Sequence, residues 1–439
     1  MALFRSTTVG LCAALLASAS CLPGCSKGPA LSGTVSEEAT ELETPDLGPP
    51  DTELLLGALE DEVPVYAAAH PKAPVLGMLH AGATVPRSKR AHENDHCVAG
   101  WYAVAPRGYV CTETAATTNL THPTLLAMAL GPRLDQSLPY VYARTSKVTA
   151  VYKRSLNKGV ELSGRLAKNT AMAIVGSWTA PDESHEPQRL GLRLDGLFVR
   201  ADDLEPAQGS AFQGVALSAE AGLPVAFVVR RGVRLFALDG DAPEKKAELA
   251  YHDVMRLSGR FRTVQGERFY EREDGTWVRH KDITLVQTRS DLPEFATGSQ
   301  KWVDISIITG TLLAYEGSTP VYATLVSVGR DRLGDAESTA STARGTFRVV
   351  EKHVTRRKAQ SDDVALLDAP WAMKLESGQW LTATPRHDRF GIEHTDGDIE
   401  LSPKDGAHLF RWTTPEVPKN WHSVSVDPAS ETLIVNVRK

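Results

Sequence analysis

Cysteine is scarce in this 439-residue chain. There are five, at positions 12, 21, 25, 97 and 111, and three of them fall within the first 25 residues. A surplus of positive charge is also missing: 48 Lys and Arg stand against 54 Asp and Glu, a net charge of −6. No run of five consecutive basic residues occurs, so the sequence gives no electrostatic reason to expect a nucleic-acid partner. The densest basic run, Arg356-Arg357-Lys358, reads as a solvated face. Beyond the N-terminal segment no apolar stretch reaches the roughly 18 residues that a membrane-spanning helix requires.

What is present is ordinary for a globular protein, with 42% hydrophobic and 23% charged residues. At about 100–200 residues per domain, the length predicts two to four domains. The N-terminus has the shape of a targeting segment. Arg5 supplies a short positive region, and Thr8 to Ala19 is apolar and small but too short to span a bilayer. Leu22-Pro23-Gly24-Cys25 resembles a lipobox. This implies a lipoprotein signal peptide over 1–24, with Cys25 as the lipidated first residue of the mature chain. Ser26 follows with no aspartate, and by the same resemblance this implies the outer membrane, facing the periplasm. The alternative is cleavage after Ala17-Ser18-Ala19-Ser20, which leaves Cys21 and Cys25 as thiols or a disulfide. Residues 25–54 read as an acidic disordered tether. Glu37, Glu38, Glu41, Glu43, Asp46, Asp51 and Glu53 alternate with Pro45, Pro49 and Pro50, too few apolar groups to offset the entropy of ordering.

From 55 to 120 the pattern predicts a small β domain, with short strands at Val63-Pro64-Val65-Tyr66, Pro74–Gly77 and Gly82–Val85. A hairpin follows over Trp101–Cys111, turning at Pro106-Arg107-Gly108. The order of these strands resembles bacterial SH3-like domains. Cys97 and Cys111 flank the hairpin, and an exported protein makes a disulfide between them the structural expectation. The hairpin theme recurs. Leu190–Leu204 and Phe269–Ile283 each contain an alternating strand, an Asp-Gly turn, then an aromatic-Val-Arg strand running on to aspartate. Residues 121–295 are therefore predicted to be further β modules of SH3-like type.

The most specific pattern is at the C-terminal end. His387-Asp388-Arg389-Phe390-Gly391 is followed by Thr395-Asp396-Gly397-Asp398-Ile399-Glu400-Leu401-Ser402-Pro403. This resembles the active-site segment of the L,D-transpeptidase catalytic domain, in which H-D-R-F-G precedes S-H-G-C-x-N-L-S-P. Other elements resemble that family in order: Lys301–Ser306 with Leu312–Gly317, Pro320–Gly329, Gly345-Thr346-Phe347-Arg348-Val349 and Pro370-Trp371-Ala372-Met373. The resemblance covers about 300–425 and implies a C-terminal β-sandwich domain over 300–439. The fold class expected for the whole chain is mainly β with few helices, small barrels preceding that sandwich. A helix is predicted after Glu400, with Ser402 as cap, Pro403 at its first position and Asp405 three beyond the cap. Ala407, Leu409, Phe410 and Trp412 would form its apolar face.

The resemblance implies a cysteine enzyme that cross-links peptidoglycan, but the chemistry is missing from the frame. The thiol position holds Asp398 and the histidine position holds Asp396. The preceding serine is Thr395, the Arg or Asn two beyond the cysteine is Glu400, and an upstream histidine is replaced by Thr382. Gly397 stays, as do His387, Arg389 and Gly391. A carboxylate attacking an unactivated amide gives a mixed anhydride, and no base stands at 396. No catalytic residue is therefore expected to be intact, and no cofactor is expected. Asp396, Asp398 and Glu400 alternate as oxygen ligands do in a calcium loop, but the later glycine and bidentate glutamate are absent, so no metal site is expected. The expectation is a peptidoglycan-associated envelope lipoprotein that binds the wall, scaffolds it or regulates an active cross-linking enzyme. The alternative is an enzyme with a carboxylate-based or metal-assisted site.

Overall fold

Short strands separated by Gly, Pro and Asp-Gly turns dominate the chain, and the sheets follow from them. The computed structural model describes residue 42 and residues 44–155, 159–180, 188–218, 222–240, 242–358 and 365–439. The signal segment, Cys21, Cys25 and most of the tether lie outside these residues. Among the described residues there are two α-helices, Pro123–Ala127 and Pro403–Trp412; the remainder is strand, turn and two short 3₁₀ segments. No described helix is long and apolar enough to cross a membrane.

The first β unit starts earlier than its composition suggests. Asp51–Ala58 is a strand paired with Thr84–Arg87 and with Ala116–Thr117, so the tether read over 25–54 stops short of Asp51. The run Leu54-Leu55-Leu56 explains this: Leu56 is fully buried and fixes the strand, and the acidic residues before it are carried along its exposed end. Even before the strand, the Tyr109 hydroxyl donates to the Pro45 carbonyl. The strands Val63–Tyr66, Val75–Leu79, Cys97–Ala103 and Tyr109–Cys111 complete the unit. A disulfide joins Cys97 and Cys111 beside buried Trp101.

The next two units have the same construction. Residues 141–206 and 225–286 each form a seven-stranded sheet, and the strand order is the same in both when strands are counted from the start of the unit. The two echoing hairpins occupy equivalent places. Phe198–Arg200 leads into the 3₁₀ turn Ala201–Asp203, and Trp277–Arg279 leads into His280–Asp282. Val199 and Val278 are fully buried, and the closing aspartates are buried and paired. Asp203 accepts from Thr149 and Lys147, and Asp282 from Arg279.

In the C-terminal domain, Lys301–Ser306 pairs with Thr311–Glu316 and, in parallel, with Ile434–Arg438. The long strand Gly345–Arg357 pairs with Asp368–Leu375 on one side and with Ile434–Arg438 and Ser423–Ser425 on the other. Helix Pro403–Trp412 covers this sheet, burying Ala407, Leu409 and Phe410 against Val354, Trp371 and Leu381. Lys352 crosses beneath it and donates to the Phe410 and Thr413 carbonyls, closing the helix C-terminus; burial pushes its ammonium down to about 7.

The segment 209–217, placed by sequence among the central modules, packs instead on this domain. Val215–Ala216 pairs with Ala323 and Tyr322, Phe212 stacks on Phe390, and the Gly214 N–H donates to Asp405. Its apolar residues Phe212, Val215 and Leu217 have a core to join there. The first β unit is likewise continuous with the C-terminal sheet. Gly77 and Met78 pair with Val424 and Ser423, and Trp421 enters the core of that unit, its Nε1 donating to the Ala105 carbonyl.

Candidate functional site

The segment 395–403 is fixed by its neighbours on both sides. Ile399–Leu401 lies parallel to Trp380–Ala383, which places Thr382 directly beside Glu400. Glu393–Thr395 pairs in parallel with Val328–Gly329. Between them the chain turns at Gly397, whose φ of +112° suits glycine; a Cβ there would lie 2.9 Å from Gln379 Nε2. Thr395 Oγ1 donates to the Asp398 carbonyl and Thr342 Oγ1 to that of Gly397. Downstream, the helix begins as its sequence requires: Ser402 Oγ accepts from the Asp405 N–H at 3.1 Å, and Pro403 opens the first turn.

Asp405 does more than sit in that first turn. Its carboxylate is fully buried and accepts four hydrogen bonds, from Tyr322 (2.6 Å), Thr324 (2.6 Å), Ser402 (2.9 Å) and the Gly214 N–H (2.9 Å). Burial pushes its carboxyl up against these donors. Three parts of the domain therefore meet on one side chain, and a carboxamide cannot accept from all four donors. Asp405→Asn is expected to lower stability by about 1–3 kcal/mol, measured by denaturant unfolding; no measurable loss would show that the lock is dispensable.

Asp398, at the position of the thiol in the sequence frame, is committed. Its Oδ2 accepts from Arg356 at 3.1 Å and Lys358 at 3.3 Å, and its Oδ1 accepts from the Trp380 N–H at 3.0 Å. Its side chain is 22% exposed. Burial pushes the Arg356 guanidinium down, and the neighbouring Asp398 charge partly restores it. The solvated face expected of Arg356-Arg357-Lys358 is thus incorrect. Successive strand residues point to opposite faces. Arg356 and Lys358 turn toward Asp398, whereas Arg357 turns the other way into a junction with Asp61 (2.9 Å), Asp195 (3.6 Å) and Asp368 (3.1 Å). Sequence reasoning missed Arg356, Lys358 and the Trp380 N–H as partners of Asp398; the available signal was the strand alternation, applied to a charged run.

The remaining residues of the frame divide among separate partners. Asp396 is exposed and pairs with Arg330. Glu400 is buried and accepts from His387 Nε2 at 2.7 Å, while His387 Nδ1 accepts from the Arg389 N–H. This second bond fixes the ring so that Nε2 carries the proton that Glu400 receives. Burial raises the Glu400 carboxyl, but the His387 hydrogen bond and the charges of Arg386 and Lys358 outweigh it and hold the group below the usual range. Gly391, at φ +85°, lets the loop pass against Leu325 and Val229. Phe390 anchors that loop between Phe212 and His252. The three alternating carboxylates therefore each pair with different basic side chains. Among the described residues no group of three or more His, Cys, Asp or Glu side chains is placed to hold a metal ion.

Two clefts flank this segment. One, of about 260 Å³, is lined by Arg330, Lys358, His394, Asp396, Asp398 and Glu400 among others. The other, of about 420 Å³, is lined by Arg144, Arg386, His387, Asp388, Arg389 and His394 among others. They share Ala365, Arg386 and His394. His394 was not singled out as a site residue, yet it stands in both clefts, its ring edge-on to His387 at 4.5 Å. Burial lowers its pKa first, and the charges of Arg389 and Arg386 lower it further.

No protein-family model matches the sequence, and no curated protein is similar to it. Solved structures do show similarity. An L,D-transpeptidase from Stackebrandtia nassauensis aligns at 16% identity over 34% of this chain and 62% of its own, with a TM-score of 0.25. One from Xylanimonas cellulosilytica aligns at 20% identity over 34% and 65%, with a TM-score of 0.23. One from Mycobacterium smegmatis aligns at 17% identity over 42% and 82%, with a TM-score of 0.25. This chain spans less than two thirds of the length of the first two. The likeness is partial and its TM-scores are low, so the chemistry is taken from the residues of this chain.

Proposed function

We propose that this chain is a peptidoglycan-associated envelope protein whose C-terminal domain keeps a transpeptidase-like frame without transpeptidase chemistry. It acts in wall binding, scaffolding or the regulation of an active cross-linking enzyme. Lipidation at Cys25 anchors it to the outer membrane, and the β units between anchor and C-terminal domain are SH3-like modules. The observation that carries this reading is the state of Asp398. A nucleophile must be free to approach a carbonyl carbon, whereas two cations and a backbone N–H hold and stabilise this carboxylate as an anion. The group at the histidine position, Asp396, points to Arg330 at the surface.

Two measurements test the reading. Incubation with a carbapenem followed by intact-protein mass spectrometry is expected to leave the mass unchanged, because no thiol stands at 398. The soluble protein, residues 26–439, is expected to co-sediment with isolated sacculi without altering their muropeptides. New or cleaved muropeptides, abolished by Asp398→Ala, would instead establish the protein as an enzyme with a carboxylate-based or metal-assisted site. Failure to sediment would remove the wall-binding half of the proposal.

A further inference from the structure

The carboxylates around the two clefts are already occupied: Asp398 by Arg356 and Lys358, Asp396 by Arg330, and Glu400 by His387. The arginines are not all so placed. Arg386 and Arg389 both line the 420 Å³ cleft, both are exposed, and neither guanidinium has a partner among the described residues. Arg144, which also lines this cleft, pairs with Glu205 at 3.1 Å, and Asp388 reaches out to Arg231 at 3.9 Å. Two planar cations without partners among the described residues therefore border a concave site, where the exposed Asp388 is the one lining carboxylate and is only loosely paired. Guanidinium groups hold oxyanions through paired N–H donors.

We infer that Arg386 and Arg389, with His394 beside them, bind an oxyanion: a peptide carboxylate or a phosphate of a wall polymer. The assignment to wall components rests on the function proposed above; the oxyanion chemistry does not. His394 is suited to a neutral contact with such a ligand. Burial first, and then the Arg389 and Arg386 cations that it faces, hold it below its ordinary pKa, with Glu400 as the one opposing anion. A bound anion reverses that balance, so His394 reports occupancy.

The test is an NMR titration of the His394 ring in the soluble protein with three probes: inorganic phosphate, N-acetyl-D-alanine and N-acetyl-D-alaninamide. At least one anion is expected to shift the ring saturably and to raise the His394 midpoint by about 1 unit; the neutral amide should do neither. Whichever anion saturates at lower concentration identifies the source. The double variant R386A/R389A is expected to lose affinity about tenfold or more with an unchanged melting temperature, since both side chains are exposed. A silent His394 with both anions, an equal response to the amide, or undiminished affinity in the double variant overturns the inference. Sedimentation with sacculi separates the two proposals. A His394 response without sedimentation removes the wall reading and leaves the oxyanion site, whereas sedimentation with a silent His394 removes the site alone.

Discussion

Replacing Trp421 by alanine is expected to lower stability by about 3–5 kcal/mol, the cost of emptying a large aromatic site in a packed core. Trp421 belongs to the C-terminal domain in sequence but to the first β unit in packing. It is 2% exposed and surrounded by Val65, Leu79, Val104 and Val110, and its indole N–H is satisfied by Ala105. The backbone beside it adds an edge-to-edge pairing, with Gly77 opposite Val424 and the His422 N–H donating to Met78. Glycine is required at 77 because a Cβ would lie 2.2 Å from the Ser423 carbonyl oxygen and 2.7 Å from the Trp421 ring. Hydrogen exchange read by mass spectrometry checks the result. Residues 51–117 should lose protection first in the variant, and unchanged protection there would mean that the first unit is stable without this docking.

A loss of similar size, about 3–5 kcal/mol, is expected for Arg357→Met, because removing one partner from a buried charge cluster leaves the others uncompensated. Arg357 gathers carboxylates from three parts of the chain: Asp61 of the first unit, Asp195 at a turn of the second and Asp368 of the C-terminal domain. The effect should depend on pH. Burial outweighs Arg357 and pushes the Asp61 carboxyl up from about 3.8 to about 7, with Glu62, Asp368 and Asp195 adding to the rise. The folded state therefore binds this proton more tightly than the unfolded state. The associated stabilisation is complete below about pH 4 and is lost as pH rises through 7. Asp61→Asn should flatten this decline relative to wild type between pH 4 and 8, in denaturant unfolding followed at several pH values. Arg357→Met should be more damaging at pH 8 than at pH 5. An equal loss at both pH values would mean that Asp61 does not titrate in this window.

The strands were readable from the sequence because their signals are local. The Asp-Gly turns at 195–196 and 274–275 fix two hairpins, and Ser402-Pro403 with Asp405 fixes a helix start. The equivalence of the two central units was also visible, as the recurring aromatic-Val-Arg strand leading to a buried aspartate. What could not be read was which unit each element packs against. Trp421 and Phe212 look like ordinary core residues of their own neighbourhoods, and nothing nearby in sequence says that one fills a unit more than 300 residues upstream or that the other stacks on Phe390. In the site the run from His387 to Pro403 was legible as a distinctive segment, because its glycines, its alternating carboxylates and its Ser-Pro helix start are local signals. The partners of Asp398 were not, since the run Arg356-Arg357-Lys358 has a strand's alternation without the apolar-polar contrast that normally reveals it.

That alternation links two otherwise unrelated parts of the molecule by parity. The Gly345–Arg357 strand offers one face to the pocket around Asp398 and the other to the inter-unit junction. Adding or deleting a single residue before 356 would exchange the faces, turning the junction's arginine toward Asp398 and the pocket's two cations toward the other units. Only a change of two residues preserves both sides. The occupied site and the docking of the upstream units therefore share one register, and in sequence length they are constrained to vary together.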